Sequence, residues 1–190
     1  LIGNAILSNT SVYSTSGLWR GRGGGVDTEH ALNVTLIDNE IRGNVAVVKG
    51  TGYGGGVYGS FATLYDNEIL SNTASVTGTG KGGGVYAYYV TGFGNNVVQG
   101  NVASRDGDGG GGGVCASYLR EARQNTVIGN TATRGAGLYY QTYPGRQTLR
   151  SNYIARNRAT GGSADAPDGG VGIASAADHV SIVVNEIVSN

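Results

Sequence analysis

The chain has 190 residues, a length that suits one domain. Its thirteen Lys and Arg balance thirteen Asp and Glu. Zero net charge argues against a nucleic-acid partner, which needs a basic footprint, and against electrostatic docking on anionic lipid. Glycine is extreme, 36 residues against 2 prolines, which excludes a collagen-like repeat, while the regular aliphatic pattern excludes a disordered linker.

In chain order, the first recurring element is Asn-x-(Ile/Val)-x-x-Asn. It opens at Asn4/Asn9 and returns at Asn39/Asn44, Asn67/Asn72, Asn96/Asn101, Asn125/Asn130, Asn152/Asn157 and Asn185/Asn190. Two residues after each first Asn stands an apolar side chain: Ile6, Ile41, Ile69, Val98, Val127, Ile154, Ile187. Two residues after the second Asn stands Ala46, Ala74, Ala103, Ala132 or Ala159 in five copies. A glycine triplet followed by valine comes next, as Gly23–Val26, Gly54–Val57, Gly82–Val85 and Gly111–Val114. Gly135-Ala136-Gly137-Leu138 and Gly170-Val171-Gly172-Ile173 are weaker copies. A third alternating apolar run, such as Val34–Asp38, Ala62–Asp66 or Val180–Val184, leads back to the next Asn.

Three short alternating runs per unit, bounded by Gly or Asn, predict three strands rather than helices. Such strands bury a core only by stacking on their equivalents in the next unit. The expected fold is therefore all-β: a single-stranded parallel β-helix of about six coils with three strands per coil, spanning 1–190 as one segment. At a strand spacing of about 4.8 Å, six intervals give a stack of about 29 Å. Parallel crossovers are right-handed as a rule, so this helix is expected to be right-handed.

These residues resemble the right-handed parallel β-helix, or pectin-lyase-like, superfamily. More narrowly, Gly-Gly-Gly-Val-Tyr with Asn-x-x-Asn-x-Ala resembles bacterial surface β-helix repeats and the polymorphic outer-membrane proteins. Gly stands here where those families carry Ala in Gly-Gly-Ala, and Ile or Val where they carry Phe in Phe-x-x-Asn. The resemblance covers essentially the whole chain and implies fold more strongly than activity.

The second Asn of each pair, Asn9, Asn44, Asn72, Asn101, Asn130, Asn157 and Asn190, is expected to form a structural ladder along the axis and to tolerate the left-handed corner conformation. The glycines are expected where φ is positive or where coils approach closely. Alternation from the inward Val puts Tyr58, Tyr86 and Tyr139, and two residues further Tyr88, on an open outer face, where tyrosines suit sugar rings. The bland alternative, strand stabilisation by stacked rings, carries more weight. His30 aligns with Phe61, Tyr89 and Tyr118, all read as inward.

Asp106 and Asp108 lie in Arg105-Asp106-Gly107-Asp108-Gly109, a fragment of a calcium loop without the closing acid, so calcium is a minor alternative to no cofactor. The best acidic cluster is Asp27 and Glu29 near Arg20 and Arg22. Asp38/Asp66 and Glu40/Glu68 are equivalent places in neighbouring units. No Ser-His-Asp set, metal-spaced His pair or Cys pair emerges, so no catalytic residue is assigned.

Cys115 stands alone and cannot form an internal disulfide. No run of about twenty apolar residues spans a membrane. Abundant Ser, Thr and Asn, with Lys49 and Lys81 the only lysines, point to an extracellular or cell-surface location. The chain opens on Leu1, shows no signal peptide and reads as part of a longer solenoid. The function expected is a non-catalytic surface scaffold, adhesin, sheath or filament subunit that contacts polysaccharide and self-associates end to end. The alternative is part of a polysaccharide lyase or glycoside hydrolase.

Overall fold

A computed structural model describes residues 1–12, 19–29, 31, 33–140, 145–161, 172–175, 180–183 and 185–188. Among the described residues all strand pairs are parallel, and each joins a residue to its equivalent one unit further on. The described residues form three sheets, of seven, nine and ten strands. Sheet 1 holds the residues between paired asparagines, such as Glu68–Leu70 and Val97–Gln99. Sheet 2 follows the second Asn, as in Val45–Tyr53 and Thr73–Thr77. Sheet 3 follows the glycine triplet, as in Val57–Tyr65 and Val85–Gly94. The chain is thus a parallel β-helix with three strands per coil. It completes about five turns rather than six; the first and last coils include residues outside the described set.

The interior is a set of apolar columns. Ile41, Ile69, Val98, Val127 and Ile154 come from sheet 1. Val57, Val85, Val114 and Leu138 enter sheet 3, and Leu36, Leu64, Phe93, Ala122 and Leu149 leave it. All are essentially inaccessible and form one cluster. Each buried Val, Leu or Ile contributes roughly 1.5–3 kcal/mol, so the repeat is its own core.

Both asparagines of each pair, not only the second, form ladders at the two corners that flank sheet 1. The Asn72 side-chain amide donates to Asn101 Oδ1 at 3.0 Å and to the Ile41 carbonyl at 2.8 Å. Its Oδ1 accepts from the Asn44 backbone N–H at 2.9 Å and the Asn44 side-chain amide at 3.0 Å. The first-Asn ladder repeats this from Asn4 through Asn39, Asn67, Asn96, Asn125 and Asn152 to Asn185. Buried amides are tolerated because each hydrogen-bonding position is filled. Asn190 lies outside the described residues.

The left-handed corner falls one residue earlier than expected. Among the described residues, positive φ occurs at the residue before each ladder Asn, for example Asp66, Ser71, Asn95, Gly100, Gln124 and Gly129. That residue turns the chain, and the Asn after it points its amide along the axis.

Two of the three triplet glycines have distinct tasks. The first has positive φ, as at Gly54 and Gly82, where a side chain is strained. The third packs against the next coil's ladder: a Cβ on Gly56 would meet Asn72 Nδ2 at 3.0 Å.

Residues Phe61, Tyr89 and Tyr118 correct the expectation that they point inward. Gly59 and Ala62 are both buried, while Ser60 and Phe61 between them are not, so two successive residues face out and period-two counting slips. Phe61 is 36% exposed; its ring stacks on Tyr89 with centroids 5.2 Å apart, and Tyr118 lies tilted against Tyr89 at 5.1 Å. His30 lies outside the described residues.

Candidate functional site

After sheet 2 the chain bends back through Gly50 or Gly78, both at positive φ, and returns alongside itself before entering the triplet. The return legs Trp19–Arg22, Val45–Tyr53 (its final residues), Gly80–Lys81 and Gly109–Gly110 pair in parallel, which stacks Arg22, Tyr53, Lys81 and Gly110 in one row. This row lies over the tyrosine row of sheet 3.

Consequently Tyr58 and Tyr86 are not on an open face. They are 3% and 4% exposed, cluster with fully buried Cys115, and pack against Tyr53 and Tyr139. The Tyr53 ring meets Tyr86 edge-on at 5.1 Å, and the Arg22 guanidinium sits 5.5 Å over the Tyr58 ring. Tyr58 and Tyr86 stack face to face, 5.6 Å apart and 5° from parallel. Their faces are therefore spent on each other and cannot hold a sugar. Tyr88 differs: it stands at 86° and 84° to those rings and is 46% exposed.

Burial is the main cause of each large titration shift here. It pushes the Tyr58 hydroxyl up to about 12, with Tyr88 adding to the effect, and raises Tyr86 and Tyr140 as well. Cys115 is pushed up to about 12 by burial, with Lys81 opposing. A thiol that remains protonated is a poor nucleophile. Alkylation of native Cys115 at mildly alkaline pH is expected to run about a thousandfold or more slower than in urea, since its thiolate fraction falls by roughly that factor from the ordinary value near 8.5. Equal native and denatured rates, read by mass spectrometry, would contradict this packing.

The acidic candidates are engaged locally. Glu29 pairs with Arg22, and Asp27 Oδ1 accepts from the Glu29 backbone N–H at 2.9 Å. Asp108 accepts from the Thr133 hydroxyl at 3.0 Å and lies 3.8 Å from Arg134. Asp106 is exposed. Glu40 and Glu68 are register neighbours, with Arg42 3.1 Å from Glu40. Among the described residues no three His, Cys, Asp or Glu side chains gather as a metal-binding group. Both histidines of the chain, His30 and His179, lie outside those residues.

Stacked parallel sheets, amide ladders and a covered aromatic row define a parallel β-helix protein of the pectin-lyase-like kind. The family model described as "Periplasmic copper-binding protein (NosD)" matches residues 2–190, and the chain belongs to the NosD family. No curated protein and no solved structure is a significant match.

Proposed function

We propose that this chain is a non-catalytic β-helix scaffold of the cell envelope. The observation that carries this reading is the use to which the repeat puts its polar groups. Its buried amides are spent on the two ladders, and Glu29, Asp27 and Asp108 are spent on local partners. The family's periplasmic description supports an envelope location. In the finer version of the reading the scaffold meets a glycan, as an adhesin or sheath would, and that contact falls to Tyr88.

Copper, named in the family description, suits thiolate, thioether or imidazole donors. This chain has one Cys, no Met and two His. Cys115 is sealed in the aromatic row with its thiol protonated. His30 and His179 lie outside the described residues. Among the described residues a single sealed thiol does not make a copper centre, and no group of three His, Cys, Asp or Glu side chains gathers there.

The scaffold reading is tested by incubating the protein with uronate polysaccharides, with and without calcium. No unsaturated or reducing-end product is expected. Product that accumulates with enzyme concentration would establish the lyase or hydrolase alternative. In parallel, copper added at one equivalent is expected to wash off on desalting; retention that is lost in Cys115→Ser would overturn the donor argument.

A further inference from the structure

The zero net charge of the whole chain conceals a strong local imbalance. Between Asp108 and Asp165 there are seven arginines (Arg120, Arg123, Arg134, Arg146, Arg150, Arg156, Arg158) and a single acid, Glu121. The fold gathers four of these arginines, Arg120, Arg123, Arg146 and Arg150, on the outer face of sheet 3 in the fourth and fifth coils. Arg123 and Arg150 are direct register neighbours, one strand spacing or about 4.8 Å apart. Arg120 and Arg146 line one shallow recess with Tyr118, Glu121 and Thr148. All four arginines are exposed, and no ion pair among the described residues includes them.

Repeat inheritance does not explain this. The column that holds Arg123 and Arg150 holds Ile37, Tyr65 and Gly94 in the earlier coils. Like charges directly opposite on neighbouring strands destabilise a sheet. Here two stand opposed, two more stand beside them, and one carboxylate is too little to neutralise four guanidiniums. The Arg123 guanidinium also lies 5.8 Å over the Tyr65 ring, which holds it against the face rather than free in solvent. Acids do occur along the same edge, at Asp38, Glu40, Asp66 and Glu68 on one side and at Glu186, one coil beyond Arg150, on the other. By backbone position the first four stand two to four strand spacings from Arg123 and Arg150, roughly 10–19 Å, which exceeds the screening length of about 8 Å at physiological salt. With Glu186 counted, two carboxylates still face four guanidiniums.

We propose that this arginine face is a binding site for phosphate-type oxyanions carried on a larger ligand. Guanidinium forks match such oxygens two at a time. The Thr148 hydroxyl adds a neutral donor, and the Tyr118 hydroxyl, which donates to the Arg146 carbonyl at 3.2 Å, ties the fourth coil to the fifth beneath the recess. The recess is open rather than enclosed, which suits a group displayed on a surface or polymer. Phospholipid head groups and soluble polyphosphate both present this chemistry.

The experiment measures co-sedimentation with vesicles rich in phosphatidylglycerol, with pure phosphatidylcholine vesicles as control, and calorimetric titration with soluble polyphosphate. At physiological salt the protein is expected to bind in at least one arm. Vesicle binding identifies head groups as the source, and polyphosphate binding alone identifies a soluble ligand. The double variant Arg123→Gln/Arg150→Gln is expected to weaken binding by roughly tenfold or more, and Glu121→Gln to strengthen it. Arg42→Gln, at the acidic end, leaves binding unchanged. Folding of each variant is checked by its urea midpoint. The proposal is overturned by no binding in either arm, by undiminished binding of the double variant, or by an equal loss in Arg42→Gln.

Discussion

Asn101→Ala is expected to lower the stability of the fold by about 3–5 kcal/mol in urea denaturation. Asn101 Oδ1 accepts from the Asn72 backbone N–H at 2.9 Å and from the Asn72 side chain at 3.0 Å. Its amide donates to the Ile69 carbonyl at 2.8 Å and to Asn130 at 3.0 Å. Truncation leaves three interior groups, two donors on Asn72 and the Ile69 carbonyl, without these partners and out of reach of water. Each orphaned group costs roughly 1–3 kcal/mol, far more than the net gain of about 1 kcal/mol from making one such bond. Asn95→Ala is the matched control. Asn95 is exposed with φ at 55°, so alanine there meets only the left-handed strain of about 1–2 kcal/mol. Equal midpoints for the two variants would show that the ladder carries no special weight.

Gly80→Ala is expected to cost about 3 kcal/mol or more, or to prevent folding. The return leg lies so close to the next coil that a Cβ on Gly80 lands on the Ala103 carbonyl, with the Ser104 nitrogen at 3.0 Å. These are backbone atoms in a parallel ladder, so relief requires displacing a whole coil. Gly52 stands in the same relation to Ala74. Gly129→Ala is the contrast: φ is 64° there, but a Cβ meets nothing within 4 Å. It should cost only about 1–2 kcal/mol. Expression and urea midpoints of the two variants separate close approach from dihedral strain. A Gly80→Ala protein as stable as Gly129→Ala would mean that the return leg does not pack on sheet 2.

These two variants also mark what the sequence makes legible. An Asn or Gly that recurs at one phase of every unit becomes a column in space, because parallel stacking sets equivalent residues over one another. The columns of Ile41–Ile154 and Val57–Leu138 follow from the same logic. Legibility fails where the backbone departs from strict alternation. The bend between Gly59 and Ala62 turns Phe61, Tyr89 and Tyr118 outward, and nothing in the local pattern announces it. It fails again where a segment folds over its neighbour. The tyrosine row reads as open until the return leg brings Arg22, Tyr53 and Lys81 onto it. The arginine face fails for a third reason. Arg123 and Arg150 are twenty-seven residues apart in the chain, and only the register, which pairs Glu121 with Thr148, sets one over the other. The turn residue before each Asn was visible as Gly, Ser or Asp in most copies; its role emerges only from its positive φ.

The register itself is tested by engineered disulfides. The Thr63 and Thr91 hydroxyls, on adjacent coils of sheet 3, lie 2.6 Å apart. In a Cys115→Ser background, the pair Thr63→Cys/Thr91→Cys should cross-link fully under mild oxidation, since neighbouring parallel strands place Cα atoms within bonding range. Thr63→Cys/Thr148→Cys, three strand spacings or about 14 Å apart, should stay reduced. Mass spectrometry of the oxidised proteins reads both results. A reduced first pair, or a cross-linked second pair in monomeric protein, would contradict the stacking on which every assignment above depends.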